Sequence, residues 1–169
     1  KGPQEVLSGL LKSTSFAPRD LKYLLFGPEN ELTSLLGDNS DWRSIPHEIR
    51  HAPEVVGMDE KPIAGIKNKK NSSMALALQA LKDKEAEAML CCGNTGCLMA
   101  GGTIRLRTLE GVERPALCTI WPGRERYFTL LDAGANPHPK PFHIVQNAIL
   151  GSNYARVALG LVRPKIGLL

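Results

Sequence analysis

One glycine-containing turn, Gly93-Asn94-Thr95-Gly96, has residue types and a spacing that suit a phosphate or a carboxylate. It follows an apolar strand-like segment, 86–92, and precedes a helical pattern, so backbone N–H groups and the positive end of a helix would point to one place. The spacing matches neither GxxxxGK[ST] nor GxGxxG, which excludes nucleotide loops of those two kinds. Asn94, Thr95 and Gly96 are therefore candidate anion ligands, with an ordinary capped turn as the alternative.

A second polar turn, Asp132-Ala133-Gly134-Ala135-Asn136, follows the strand-like segment 128–131. Parallel strands end at one edge of their sheet, where open α/β folds bind ligands. We therefore expect this turn and the turn 93–96 to lie at the same edge. Asp132 and Asn136 are candidate site residues. The alternatives are that Asp132 caps a neighbouring turn and that Asn136 serves a left-handed turn.

Ammonium and hydroxyl groups come together just before a third helical pattern, in the segment 69–73 (Lys-Lys-Asn-Ser-Ser). Positive side chains at a helix start suit an oxyanion. Lys70, Ser72 and Ser73 are therefore candidates for phosphate binding. The alternative is a solvated basic loop whose serine caps the helix.

His51 is a candidate proton acceptor, because it lies in a predicted loop close in sequence to Glu54 and Asp59. A surface histidine without a catalytic role is the alternative. The four cysteines lack the spacing of a zinc site, and we expect free thiols in a reducing compartment. Neither a metal ion nor a cofactor is expected.

Strand-like and helical segments alternate along the chain, as in α/β proteins. Buried strands separated by helices imply a three-layer αβα architecture with a mainly parallel sheet. We predict a single α/β domain over 1–169, incomplete at both ends because no strand leads and no helix closes it. The predicted helices are 3–14, 29–36, 72–84, 97–107 and 142–159, the predicted strands or apolar runs are 21–26, 45–49, 86–92, 116–120, 128–131 and 163–169, and the predicted loop is 51–61.

The composition is that of an ordinary soluble globular protein, with 43% hydrophobic and 22% charged residues and a net charge of +4. No apolar run approaches the ~20 residues that cross a membrane, and the polar start does not resemble a signal peptide. Lys and Arg are scattered and not interleaved with aromatic residues, which argues against a nucleic acid partner. A mild positive charge suits an anionic substrate or a modestly acidic partner.

Seven segments together match the pattern of a known family: 51–62 (HAPEVVGMDEKP), 69–74 (KKNSSM), 93–96 (GNTG), 114–117 (RPAL), 131–136 (LDAGAN), 150–155 (LGSNYA) and 163–169 (RPKIGLL). In order and in spacing they resemble the PlsX family of phosphate acyltransferases. The resemblance covers the chain from about residue 51 to its end and is looser over 1–50. Cys91, Cys92 and Cys97 stand where the family usually has Ser or Ala, which argues against an essential cysteine nucleophile.

The resemblance implies an enzyme that moves a fatty acyl group from acyl-acyl carrier protein to inorganic phosphate, giving acyl phosphate for phospholipid synthesis. It also implies a fold like that of isocitrate and isopropylmalate dehydrogenases, of which residues 1–169 would be the N-terminal half. A cytoplasmic homodimer is expected, with any peripheral membrane contact made by parts outside this chain.

In that reaction phosphate is already an anionic nucleophile, and the thiol, with a pKa of ~8.5, leaves without a strong acid. Catalysis then consists mainly of positioning phosphate and stabilising the tetrahedral oxyanion. As catalytic residues we expect Asn136 to donate to the thioester carbonyl, Asp132 to orient a donor and His51 to accept a proton. The expected phosphate or substrate ligands are Asn94, Thr95, Gly96, Lys70, Ser72 and Ser73.

Two other functions are compatible with the same residues. One is a phosphate acetyltransferase-like enzyme that uses coenzyme A, which competition between the two kinds of thioester would distinguish. The other is a non-catalytic fragment that binds an anion or acyl carrier protein. A dehydrogenase is disfavoured, because the loops contain neither an Arg-rich hydroxyacid site nor a metal-binding Asp cluster.

Overall fold

The computed structural model describes residues 2–14, 16, 21–37 and 40–169, and the chain forms two compact units, 1–106 and 107–169. Both units contain helices and strands, so the α/β class is confirmed. That residues 1–169 form a single domain stays a prediction.

The first part of unit 1–106 contains a two-stranded parallel sheet flanked by helices. Its elements are α1 (Pro3–Ser13), β1 (Tyr23–Gly27), α2 (Glu29–Gly37), a 3₁₀ helix (Ser40–Ser44) and β2 (His47–His51). The strands pair in register from Tyr23 opposite His47 to Gly27 opposite His51. The 3₁₀ helix was not predicted, and the predicted strands are shifted by one or two residues from β1 and β2.

An apolar cluster holds this part together by removing large side chains from water. Trp42 is 2% exposed, and its ring meets those of Tyr23 and His47 edge-on, with centroids 6.2 and 5.5 Å away. Burying a large apolar side chain stabilises a fold by about 1.5–3 kcal/mol. The buried members of the cluster are Leu7, Leu25, Leu32, Leu36 and Trp42.

Three helices form the rest of this unit, α3 (Pro62–Asn68), α4 (Ser73–Lys82) and α5 (Thr95–Arg105). They enclose a second apolar cluster, whose buried members are Val56, Ile66, Met74, Leu78 and Cys97. The α3 helix was not predicted, because seven residues are too few to display a helical period. Its first residue is Pro62, which suits a helix start because proline there loses no helical hydrogen bond.

The predicted strand at 86–92 is wrong, since this segment follows α4 without forming a strand. An apolar run becomes a strand only where a neighbouring strand pairs with its backbone, and the described residues place none beside it. The predicted start of the next helix is also wrong by two residues, because α5 begins at Thr95 rather than at Cys97.

Unit 107–169 contains an antiparallel hairpin, β3 (Thr119–Pro122) with β4 (Tyr127–Leu130), followed by the long helix α6 (Pro141–Leu159). The prediction of parallel pairing is wrong for these two strands. Only four residues, 123–126, connect them, whereas a parallel crossover needs a dozen or more. The predicted strand at 163–169 is also wrong, since that segment is irregular.

The α6 helix packs against β4 on the side that carries Gly151. A Cβ added to Gly151 would lie 3.1 Å from Leu131 Cδ1, so the small residue lets helix and strand end approach closely. None of the helices in the described part of the chain is both long and apolar enough to cross a membrane.

Candidate functional site

The start of α5 is held in place by the side chain of Asn94. Its Oδ1 accepts a hydrogen bond from Cys97 N at 3.0 Å, which is the usual role of an N-cap residue. Its Nδ2 donates to three carbonyl oxygens in the loop 57–60, at 3.0 to 3.1 Å. Because the side chain is buried and both of its polar atoms are used, Asn94 joins the loop to the helix.

Thr95 and Gly96 are the first two residues of α5, so their N–H groups have no acceptor within the helix. Thr95 is exposed and Gly96 is half-buried. The sequence pattern predicts both residues in a turn before the helix, whereas the structure places them in the first turn of the helix. An anion at this point would meet the backbone N–H groups, whereas the Asn94 amide faces the loop.

The same loop is fixed from its other side by Glu60 and Lys69. Glu60 Oε1 accepts from Gly57 N at 2.7 Å and also from Lys69 Nζ, which in turn donates to Val55 O at 2.6 Å. The hydrogen bond from Lys69 and then that from Gly57 lower the pKa of Glu60. This ion pair was not predicted from the sequence. Its two charges are nine residues apart, one in a loop and one at a helix end, and no sequence periodicity relates such positions.

The start of α4 is capped by Ser72, in agreement with the alternative that one serine of this pair caps the helix. Ser72 is fully buried; its Oγ donates to Lys69 O at 2.7 Å and accepts from Ala75 N at 3.3 Å. Its hydroxyl is thus engaged within the fold. Ser73 is half-buried and donates its N–H to Glu54 O at 3.2 Å, whereas Lys70 is exposed.

Helices α3 and α5 approach each other closely at two glycines. A Cβ on Gly65 of α3 would lie 2.9 Å from Cys97 Sγ, and a Cβ on Gly96 of α5 would lie 2.9 Å from Pro62 Cγ. Real Cβ atoms do not come so near to other heavy atoms, so side chains at these positions would push the helices apart. The first turn of α5 therefore packs directly against α3.

His51 ends β2 and is exposed. Its Nδ1 accepts a hydrogen bond from Glu29 N at 3.2 Å. With that bond in place, a neutral ring carries its proton on Nε2. Nε2 of this exposed residue is then a hydrogen-bond donor, rather than the proton acceptor expected from the sequence.

In unit 107–169, the carboxylate of Asp132 organises the second predicted turn. Its Oδ1 accepts from Leu117 N and Ala135 N, at 2.9 and 3.0 Å, and its Oδ2 accepts from Asn136 N and Nδ2, at 2.7 and 2.8 Å. Burial acts to raise the pKa of Asp132, but these hydrogen bonds together outweigh it and lower the pKa. Asp132 is therefore held as a carboxylate that closes the turn.

Asn136 is bonded on both N–H bonds of its amide, since Nδ2 donates to Asp132 Oδ2 and to Pro115 O at 2.9 Å. Its donation to a substrate carbonyl would require one of these bonds to be released. Asn94 and Asn136 belong to different units. That their loops meet at one sheet edge stays a prediction.

Two buried polar residues of α6 were not singled out by the sequence analysis. Gln146 accepts from Glu113 N at 3.2 Å and donates to Gly111 O at 2.6 Å. His143 Nδ1 accepts from Lys140 N at 3.0 Å, and its Nε2 lies 3.3 Å from Glu113 Oε1 without hydrogen-bond geometry. Both residues lie on the buried side of α6. The sequence of α6 is only weakly amphipathic, so its pattern did not indicate which side would be buried.

Clusters of three or more His, Cys, Asp or Glu side chains placed to hold a metal ion do not occur within residues 2–14, 16, 21–37 and 40–169. The polar groups described above hold loops and helix starts together. The turn at 93–96 therefore offers a ligand the backbone N–H groups of Thr95 and Gly96. In the turn at 132–136, the N–H groups of Ala133, Ala135 and Asn136 already bind protein oxygens.

A family model described as "Fatty acid synthesis protein" matches residues 1–169. Among curated proteins, the chain is similar to a phosphate acyltransferase of Jannaschia sp. (strain CCS1), with 41% identity over 170 residues. Phosphate acyltransferases of Ruegeria sp. (strain TM1040) and Desulfitobacterium hafniense (strain Y51) are 39% and 38% identical to it.

The three alignments each cover 99% of this chain and 46%, 45% and 49% of the respective relative. The chain thus spans about half the length of the curated relatives it matches.

Proposed function

The chain belongs to the PlsX family of fatty acid synthesis proteins, and on that premise we propose that it forms part of an enzyme that transfers a fatty acyl group to inorganic phosphate. The proposed donor is the thioester of acyl carrier protein, and the product is an acyl phosphate for phospholipid synthesis. The observation that carries the proposal within the fold is the start of α5, where Thr95 and Gly96 present N–H groups from a helix end fixed by Asn94.

In the proposed reaction a phosphate oxygen attacks the carbonyl carbon of the thioester. The carbonyl oxygen gains negative charge in the tetrahedral intermediate, which collapses by breaking the carbon–sulfur bond. The thiolate leaves and takes a proton from water or a nearby donor. The enzyme needs to hold phosphate close to the carbonyl and to stabilise the oxyanion, and neither task requires a protein nucleophile.

We assign phosphate binding to the first turn of α5, with Lys70 and Ser73 as further ligands beside the start of α4. Backbone N–H groups at a helix start and an exposed ammonium group are favourable partners for a dianion. Asn94 and Ser72 take a positioning role in this proposal, because their polar atoms already bind protein groups.

We assign Asp132 to hold the loop that carries Asn136, whose amide would donate to the thioester carbonyl once Pro115 O is released. His51 would donate its Nε2 proton toward phosphate or toward the leaving thiolate. For the complete protein we propose the three-layer dehydrogenase-like fold, a cytoplasmic homodimer and, outside this chain, any contact with the membrane surface.

The first experiment measures acyl phosphate formation by the full-length protein from phosphate and either acyl-acyl carrier protein or acyl-coenzyme A. We expect turnover with the carrier protein thioester and little with coenzyme A. Faster turnover with the coenzyme A thioester would support the acetyltransferase-like alternative. Absence of turnover with both donors would contradict the proposed function.

The variant Thr95→Pro tests the role of the α5 backbone. Proline removes the N–H at the first helical position without breaking the helix, and the extended conformation of Asn94, with φ −61° and ψ 109°, is compatible with a following proline. We expect the KM for phosphate to rise about tenfold, because the variant loses about one charge-assisted hydrogen bond to phosphate. Thr95→Ala, which keeps the N–H, is the matched control, and equal KM values would refute the assignment.

A second pair of variants tests Lys70. We expect Lys70→Ala to raise the KM for phosphate by about tenfold, because a charged donor contributes about 1.5–3 kcal/mol to such contacts. Lys67→Ala removes another exposed ammonium group, from α3, and should leave the KM unchanged. The same KM change in both variants would indicate a general charge effect and would remove Lys70 from the site.

A further inference from the structure

Two adjacent cysteines, Cys91 and Cys92, lie in the irregular segment that leads into α5. In a strand, neighbouring side chains point to opposite faces and their thiols cannot meet. This segment is not a strand, and Gly93 follows the pair. The backbone that carries the two thiols is therefore not tied into a sheet ladder.

The surroundings of the two thiols differ. Cys91 is half-buried and packs against the apolar cluster that includes Met74. Its Sγ accepts a hydrogen bond from Gly93 N at 3.4 Å. Cys92, by contrast, is exposed. One thiol is thus open to a reagent from solvent, and the thiol of the preceding residue is partly buried.

The remaining cysteines are poor competitors for the same chemistry. Cys97 is fully buried, and burial followed by the nearby Glu60 charge raises its pKa. Cys118 belongs to the other unit, and burial raises its pKa as well. Since the thiolate is the reactive form, these two thiols react slowly.

We propose that Cys91 and Cys92 form a reversible redox pair, in which Cys92 reacts with a hydroperoxide and Cys91 resolves the product. The Cys92 thiolate attacks one peroxide oxygen and becomes a sulfenic acid, while the second oxygen leaves as water or an alcohol after taking a proton. The Cys91 thiol then attacks the Cys92 sulfur, forming the sulfur–sulfur bond and releasing one water. The two thiols are oxidised and one peroxide is reduced.

The product is easily reduced, because the geometry of adjacent residues is unfavourable for a disulfide. Disulfides usually join Cα atoms about 4.4–6.8 Å apart, whereas successive Cα atoms are about 3.8 Å apart. A strained, exposed disulfide has a high reduction potential and is opened by ordinary thiols. Closure would also pull on Gly93 and Asn94, so oxidation would disturb the loop that positions the start of α5.

The test treats the reduced full-length protein with hydrogen peroxide and maps the tryptic peptide 85–105, which contains Cys91, Cys92 and Cys97. We expect this peptide to lose two hydrogens and to regain them with dithiothreitol. In Cys91→Ser, a dimedone adduct should form on Cys92. In Cys92→Ser, neither the disulfide nor the adduct should form, whereas Cys97→Ala and Cys118→Ser should behave as the unmodified sequence does.

A disulfide that persists in Cys91→Ser or Cys92→Ser, or that requires Cys97, would overturn the proposal. Phenylarsine oxide provides a second test that needs no variant, since trivalent arsenic bridges two close thiols. We expect one arsenical per chain on the peptide 85–105 of the reduced protein and none after peroxide treatment. If the reduced protein binds no arsenical on this peptide, the two thiols do not converge and the proposal fails.

Discussion

The turn at Asn94 and the turn at Asp132 are organised in opposite ways. In unit 1–106 a neutral amide donates to three loop carbonyl oxygens and accepts one N–H. In unit 107–169 a carboxylate accepts four hydrogen bonds, three of them from backbone N–H groups. Each side chain forms hydrogen bonds with backbone groups of its loop that would otherwise lack a partner.

The difference determines how each turn responds to its environment. The Asn94 contacts involve no titrating group and are buried, so they should be insensitive to pH and salt. The Asp132 contacts depend on a negative charge at a half-buried position. Two polar residues that look alike after a strand-like segment in the sequence therefore create turns with different chemical sensitivities.

The largest effect is expected for Asn94→Asp, which keeps the helix cap but aims a carboxylate at three carbonyl oxygens. We expect the free energy of unfolding of unit 1–106 to fall by about 3 kcal/mol, because buried acceptors then face each other without protons. Urea unfolding in a Trp121→Phe background would measure it, since the remaining Trp42 reports on this unit. A change below about 0.5 kcal/mol would contradict the central role of the amide.

The reciprocal change, Asp132→Asn, should lower the free energy of unfolding by about 2 kcal/mol. This loss is smaller than that for Asn94→Asp because the turn at Asp132 is more exposed. An amide replaces one accepting oxygen with a donor that faces N–H groups. Hydrogen exchange of the Leu117, Ala135 and Asn136 amides should accelerate, while exchange at Cys97 in the other unit should not change. Unchanged protection at all three amides would show that the carboxylate does not hold the turn.

A smaller loss of stability is expected at the start of α4. There Ser72 caps the helix, and the adjacent Ser73 provides the matched comparison. Ser72→Ala removes a buried cap and should cost about 1 kcal/mol, whereas Ser73→Ala should cost less than about 0.5 kcal/mol. Thermal unfolding of the two variants measures the difference. Equal costs would mean that the Ser72 hydroxyl contributes no more than a half-buried surface group.

The most subtle effect is the pH dependence of unit 107–169. Because the pKa of Asp132 is lower in the fold than in the unfolded chain, the unfolded state binds the proton more readily. The resulting stability is present above the unfolded value of about 3.9 and is lost as the pH falls through the folded pKa. Exchange rates of the Leu117 and Asn136 amides between pH 6 and pH 3, scaled for intrinsic exchange, would follow this loss.

In Asp132→Asn this acid-dependent component should disappear, and in Asn94→Asp it should remain. Glu60→Gln serves as a control, since the pKa of Glu60 is also lowered but this residue lies in the other unit. The same acid sensitivity with and without Asp132 would assign the effect to other carboxylates.

Much of the helical structure followed from the sequence, because local signals define helices. Proline at the start of α6, the serine cap of α4 and the asparagine before α5 all stand at helix starts in the structure. The parallel pairing seen between β1 and β2 was also expected, because strand-like and helical segments alternate along the chain. The helix starts, by contrast, depend on neighbours within a few residues.

Two of the failures, the wrong strand at 86–92 and the unforeseen contacts of Asn94, concern partners that are distant in the sequence. The segment 86–92 is apolar enough for a strand, but pairing depends on what lies beside it. The contacts of Asn94 with 57–60 join residues more than thirty positions apart, and no local pattern announces them. That these residues form a site stays a prediction from the sequence, and the fold shows which of their polar atoms already bind protein groups.

The two glycine contacts between α3 and α5 give this region a mechanical property. Gly65 lies against the short side chain of Cys97, and Gly96 lies against the ring of Pro62, so no long, flexible side chain separates the helices at these two points. If a ligand displaced the first turn of α5, that turn would press directly on α3. The start of α5, where phosphate binding is proposed, is therefore backed by a rigid helix contact, and a ligand there would have to fit the protein rather than deform it.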